Sequence, residues 1–267
     1  MNIIEYILIG SLSLFTSIIF ITVILYSDRQ RREPLHMIMI ALISCIFTIC
    51  LSLLIGQFIL PKFDIITSGL FSYKGYNLAK IILLAIVEEY SKLLVLYLFI
   101  SKNSNFDDIY DGFVYSSLVA LSFAALESLI YVFNEPNIES MKSLAVLRGI
   151  TTVPLHFMCG IAMGYYVGME KFSWGTKRRT FYLLMALIMP VFLHTIYNFT
   201  FTNIVNKLMD NVMLVPMIII FFMPFYIIAA IYYNKTVNMN EKFIKNEKYK
   251  HLMTNEEYKQ ILNESYQ

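Results

Sequence analysis

The sequence predicts an all-α fold: a polytopic membrane helix bundle with seven transmembrane helices, N-terminus out and C-terminus in. Three observations carry this. Of 267 residues, 58% are hydrophobic and only 15% charged, whereas a soluble domain averages about 25% charged. The apolar residues gather into seven runs near the roughly 20 residues that a helical span requires. None of the runs alternates with period two, which excludes a membrane barrel. Backbone groups in lipid must then be paired within each segment, so each run is a helix.

The runs cover 4–26, 36–60, 77–100, 113–133, 146–169, 180–202 and 212–234. The first has no basic residue before it and no small-residue cleavage site before Tyr26. It is expected to be a retained span and not a removable signal peptide. Polar or turn-forming breaks separate the runs: Ser27 to Pro34, Pro61 to Tyr76, Ser101 to Gly112, Asn134 to Ala145, Glu170 to Arg179 and Thr202 to Asn211. Lys and Arg fix the orientation. Fourteen lie in the odd-numbered loops and the tail, four in the even-numbered loops, and Lys80, Lys92 and Arg148 fall within runs. Residues 1–234 thus form one membrane domain. The segment 235–267 is charged throughout and reads as a cytoplasmic tail, a helix solvated or lying on the membrane surface, with no chemistry of its own.

Several classes drop out. The basic residues sit where they set topology, so nothing points to nucleic acid. There is no internal repeat and no Gly-rich phosphate loop. Cys45, Cys50 and Cys159 all lie inside apolar runs, so they are expected to pack and not to form a disulfide framework.

The third run holds the most costly residues of the chain. Glu88, Glu89 and Lys92 lie in its middle, and ionisable groups at that depth cost several kcal/mol unless they face protein or a wet cavity. Lys92 is three residues from Glu89 and four from Glu88, so it can pair with either. The two carboxylates point about 100° apart around the helix, which gives them different tasks. Counted from the cytoplasmic ends, Glu88, Glu127, His156 and His194 each lie 13 or 14 residues in, about 20 Å at 1.5 Å per residue. Four ionisable residues on four consecutive helices share one layer. His194 and Asn198 share a helix face, and their side chains together can hold a developing oxyanion. His156, Gly160 and Gly164 fall on one stripe whose small residues allow close helix contact. Arg148 either snorkels to the interface or pairs with a carboxylate. A lone core histidine or a structural ion-pair network is the blander account of each residue taken singly; the shared layer argues for a site.

These residues resemble a known family. Glu88-Glu89-Tyr90-Ser91-Lys92 matches an EExxK motif, Phe123-Ala124-Ala125-Leu126-Glu127 an FxxxE motif, and Arg148 with His156, then His194-Thr195-Ile196-Tyr197-Asn198, the two histidine segments that follow. The core 77–202 resembles the PrsW-type intramembrane proteases, which are similar to the CAAX-processing and bacteriocin-processing membrane endopeptidases. Ser128 stands where Asn is expected, and Ser122 and Ala124 replace a more Gly-rich lead-in. The resemblance implies a multi-pass protein of a bacterial cell membrane that cleaves a membrane-anchored protein or peptide near the outer side of the bilayer. It implies Glu88 as general base, Glu89 as bracing carboxylate, Glu127 and His156 as positioners of the water, and His194 with Asn198 at the oxyanion; Lys92 and Arg148 support. A Zn²⁺ held by Glu88, Glu127, His156 and His194 suits the ligand types, but no HExxH helix is present, so chemistry with no metal and with Zn²⁺ both stay open. The competing readings are a proton- or cation-coupled transporter and a non-catalytic sensor or immunity protein on the same fold.

Overall fold

The computed structural model describes residues 2–28, 32–67, 73–173, 175–208 and 214–249. Among these there is no strand. The elements are α1 (Ile3–Ser27), α2 (Leu35–Thr67), α3 (Tyr73–Val95) continued by a π-helical turn (Leu96–Ile100), α4 (Ile109–Phe133), α5 (Ile138–Ile150), α6 (Thr152–Phe172), α7 (Thr176–Leu208) and α8 (Leu214–Tyr249). Five stretches are long and apolar enough to cross a membrane: Ile3–Ser27, Leu35–Asp64, Ile109–Phe133, Ile138–Phe172 and Thr176–Phe201. α3 carries Lys80, Glu88, Glu89 and Lys92, so its composition alone does not mark it as a span.

The expected fifth helix differs from the observed one. Residues 138–145, read as loop, belong to α5, and the run 146–169 is broken at Thr151. Asn137 caps α5 by accepting from the Ser140 N–H, and Thr151 leaves helical geometry at φ −123°, ψ −63°. Pro154 near the start of α6 has no N–H to extend the earlier ladder. Arg148 and His156 therefore sit on different helices, free to approach the site from different directions.

α4 is the central post, packing on α1, α2, α6 and α8. It is buried over most of its length, while α1 and α2 show most of their surface. Their exposed faces carry Ile7, Phe15, Ile43 and Leu53, the apolar exterior that lipid accepts. The α4–α6 contact is set by glycines. A Cβ on Gly164 would collide with the backbone carbonyl of Gly112, and one on Gly160 would fall 2.8 Å from the Ala120 Cβ. Helix axes this close need small residues on both sides. Leu118, Leu121, Leu155 and Ile161 fill the core around this seam.

The N-terminal end of α4 is tied down by side chains. Asp108 caps the helix, accepting from the Asp111 N–H at 3.1 Å, and Asp111 accepts from the Asp107 and Asp108 N–H groups. The Tyr115 hydroxyl donates to Glu33, just before α2. The segment after residue 234 touches the bundle through Asn240. α8 continues to Tyr249, and Asn240 is buried against α4, accepting from the Ile109 and Tyr110 N–H groups at 2.9 and 3.2 Å. One amide thus satisfies donors that a helix start leaves without partners. Residues 250–267 lie outside the described residues.

Candidate active site

α3, α4, α6 and α7 bring their ionisable residues to one place. Glu89 is fully buried, and its Oε1 accepts from Lys92 Nζ at 2.7 Å and from His194 Nδ1 at 2.8 Å. Lys92 also reaches His156 Nδ1 at 2.8 Å and lies 4.3 Å over the Phe123 ring. Of the two acids open to it by spacing, Lys92 takes Glu89. The far nitrogen of His156 is 3.2 Å from Glu127 Oε2. The same carboxylate oxygen is held by Arg148 at 2.5 Å, and Arg148 Nε donates to Ser128 Oγ at 3.1 Å. Arg148 therefore pairs, and Ser128, in the place where Asn is expected, supplies the guanidinium with an acceptor. Glu127 (14% exposed) and Arg148 (11%) are both largely buried.

These partners settle the tautomers. An ammonium only donates, so His156 Nδ1 accepts and its Nε2 carries the proton given to Glu127. A carboxylate only accepts, so His194 donates from Nδ1, and as a neutral imidazole it keeps a lone pair on Nε2. That lone pair faces Glu88 Oε2 at 3.8 Å. The two imidazole rings meet edge to face, 5.1 Å between centroids. Glu88 Oε2 and Glu89 Oε2 are buried without a hydrogen-bond partner. Each such oxygen costs about 1–3 kcal/mol or more, a cost expected where a ligand completes the shell.

The donor set has metal-ligand character. Glu88, His156 and His194 each offer an atom within 4.8 Å of the others, and one carboxylate with two imidazoles is a catalytic zinc set. Glu89 accepts from His194 Nδ1, the arrangement by which an outer carboxylate would aim a histidine at a metal. A nitrogen of His156 would have to give up its proton to hold a metal, in keeping with the proton release that accompanies metal binding.

Around the site, Tyr197 ties α7 to α6. Its hydroxyl donates to Thr151 Oγ1 at 3.0 Å and lies 2.9 Å from Thr152 Oγ1, so the break at Thr151 anchors the His194 helix. Asn198 is half-buried one turn beyond His194. A π-helical turn follows Lys92 on α3, a distortion frequent near functional sites. No role for α2 follows from the sequence, yet α2 forms one wall of a cavity of about 650 Å³ with Glu88 and Glu127 among its lining residues.

Residues 32–229 match the family described as PrsW family intramembrane metalloprotease. The chain belongs to the PrsW family. It is 32% identical over 176 residues to Protease PrsW of Clostridioides difficile (strain 630), covering 64% of this chain and 70% of that one. Against Protease PrsW of Bacillus subtilis (strain 168) it is 28% identical over 179 residues, covering 67% and 76%. Against that of Geobacillus kaustophilus (strain HTA426) it is 37% identical over 114 residues, covering 43% and 48%. No solved structure matches it. The four helices that carry the ionisable cluster, α3, α4, α6 and α7, all lie within the matched region.

Proposed function

We propose that this PrsW-family chain is an intramembrane endopeptidase hydrolysing a peptide bond of a membrane-anchored protein or peptide. One observation carries the residue assignment: Glu88 Oε2, buried and without a hydrogen bond, lies 3.8 Å from Nε2 of His194, an acceptor when the ring is neutral. Two acceptors that close, facing each other, make a place for a water whose two protons they share. Glu88 takes a proton from that water as it attacks the scissile carbonyl and returns it to the leaving nitrogen. Glu89 holds His194 in the tautomer that keeps Nε2 an acceptor. His194 then binds the water and does not donate to the oxyanion, so the role expected for it passes to Asn198. Glu127, held by Arg148, sets the His156 ring.

The family's metal fits the same residues. Held by Glu88 and His194, with His156 or Glu127 as a further donor, a Zn²⁺ would polarise the carbonyl and acidify the bound water. A buried relay of Glu, His and Lys also suits a transporter, but the family match favours the peptidase. The seven-span, N-out arrangement in a bacterial cell membrane, with one membrane domain over 1–234, rests on the Lys and Arg asymmetry.

Liposome-reconstituted protein incubated with single-span substrates tests the reading. Wild type cleaves, and Glu88→Gln, Glu127→Gln and His194→Ala each lose activity; cleavage that survives all three sinks the assignment. Metal analysis of the purified protein, with chelation and Zn²⁺ re-addition, decides the cofactor.

A further inference from the structure

Lys92 lies one helical turn from Glu88 and within reach of it, yet it leaves that acid alone. Glu88 Oε2 is buried without a hydrogen bond. Lys92 gives its protons to Glu89 Oε1 at 2.7 Å and to His156 Nδ1 at 2.8 Å. An ammonium has three N–H donors. The third is met by the ring of Phe123 on α4, whose centroid lies 4.3 Å from Nζ. We infer that Phe123 is a positioning residue: its ring face takes the third donor of Lys92 and so keeps the general base Glu88 unpaired. The inference rests on the hydrolase reading of Glu88 and names what holds that carboxylate free.

The placement of the ring suits this task. Phe123 is 2% exposed and stands in the wall of the cavity that Glu88 also lines. Lys92 is 1% exposed and does not line that cavity, so the ring covers the ammonium on that side. The negative face of an aromatic ring attracts a cation, most strongly where water is excluded. An aliphatic side chain of similar size would fill the space and leave the third donor with no partner. Glu88, on the same helix, is an unfilled acceptor of opposite charge. A Lys92 that turned to it would release His156 Nδ1, and a carboxylate already paired with an ammonium is a poorer base.

Phe123 also meets the His156 imidazole edge to face, with centroids 5.3 Å apart and planes at 70°. One side chain thus touches both members of the Lys92–His156 hydrogen bond. Phe123 and Glu127, four residues apart on α4, share a helix face. Both act on the same imidazole, Phe123 against the ring and Glu127 through Nε2 at 3.2 Å. The spacing of the FxxxE segment has this physical reason.

Fluorine drains the negative face of a ring while leaving its place in the packing filled, so fluorinated phenylalanine at 123 separates attraction from packing. Full-length proteins with singly, doubly and triply fluorinated phenylalanine, and Phe123→Leu, are reconstituted in phosphatidylcholine liposomes. The probe is a lysine-flanked peptide of about 20 Leu and Ala residues, interrupted by a central Gly-Gly-Ser. Cleavage is expected to fall with each fluorine, about tenfold in all, and at least as far in Phe123→Leu. The melting temperature stays constant along the fluorinated series. Histidine labelled with heavy nitrogen gives a reading that needs no catalysis: the His156 Nδ1 resonance moves toward that of a free acceptor along the same series. Cleavage undiminished by fluorine, or a His156 resonance unmoved along the series, overturns the inference and leaves Phe123 a packing residue. A moving resonance with no hydrolysis by any form, wild type included, supports the hold on Lys92 and strikes the peptidase reading.

Discussion

Glu89 on α3 and His194 on α7 lie 105 residues apart, and Glu89 Oε1 accepts the His194 Nδ1–H at 2.8 Å. The same oxygen holds Lys92 at 2.7 Å. One carboxylate thus fixes an imidazole tautomer and neutralises a buried ammonium. Glu89→Gln keeps an oxygen for His194 but removes the charge. Activity is expected to fall about 10–100-fold, the range for losing the carboxylate behind a functional histidine. Breaking a buried pair by removing one partner costs about 3–5 kcal/mol, so the variant melts earlier as well. Steady-state cleavage and thermal unfolding in detergent read both effects, and a variant matching wild type in both refutes this role.

Glu88 gives the opposite signature. Its Oε2 holds no hydrogen bond, so Glu88→Gln removes chemistry and little structure. Cleavage is expected to drop about 10²–10⁴-fold, with the melting temperature unchanged or raised. A large loss of stability with partial activity would instead mark Glu88 as a structural acid.

Arg148 holds Glu127 and Ser128 at once. Arg148→Ala leaves Glu127 without its cation, and stability is expected to fall by about 3–5 kcal/mol. Arg148→Lys restores the charge but not the second, planar contact to Ser128, so it recovers only part of the loss. In Arg148→Met with Glu127→Gln the pair is neutral, and the double variant is expected to be more stable than Arg148→Ala. Unfolding midpoints of the three rank this; a double variant no better than Arg148→Ala contradicts it.

Gly164 and Gly56 should behave in opposite ways. Gly164→Val sets a branched side chain against the Gly112 backbone, which α4 and α6 relieve only by separating. Overpacking typically costs about 1–3 kcal/mol, more where backbone must move, so the variant should fail to accumulate. Gly56→Ala meets nothing closer than 3.9 Å and should fold normally. Expression and melting of the pair decide this.

Lys92 shows where sequence legibility stops. Spacing allowed it either Glu88 or Glu89, and the helix alone does not choose. The choice comes from α6 and α7, which bring His156 to Lys92 and His194 to Glu89. His194 carries the same lesson. Its place in the layer was readable, but its donor direction was not, because that follows from a carboxylate on another helix. The break at Thr151 was hidden because both sides of it are apolar, and hydropathy does not register a cap. Asn240 was hidden because a polar residue in a charged segment looks solvated until α4 is placed beside it.

By itself the sequence determined the membrane class, the helical nature of the runs and the expectation that Glu88, Glu127, His156 and His194 share one layer. Those follow from composition and from a fixed rise per residue, which need no knowledge of neighbours. The tertiary structure decided which acid takes Lys92, which nitrogen of each histidine is free, and that α2 borders the cavity that Glu88 lines. Those depend on contacts between helices far apart in the chain, and such contacts have no period along the sequence.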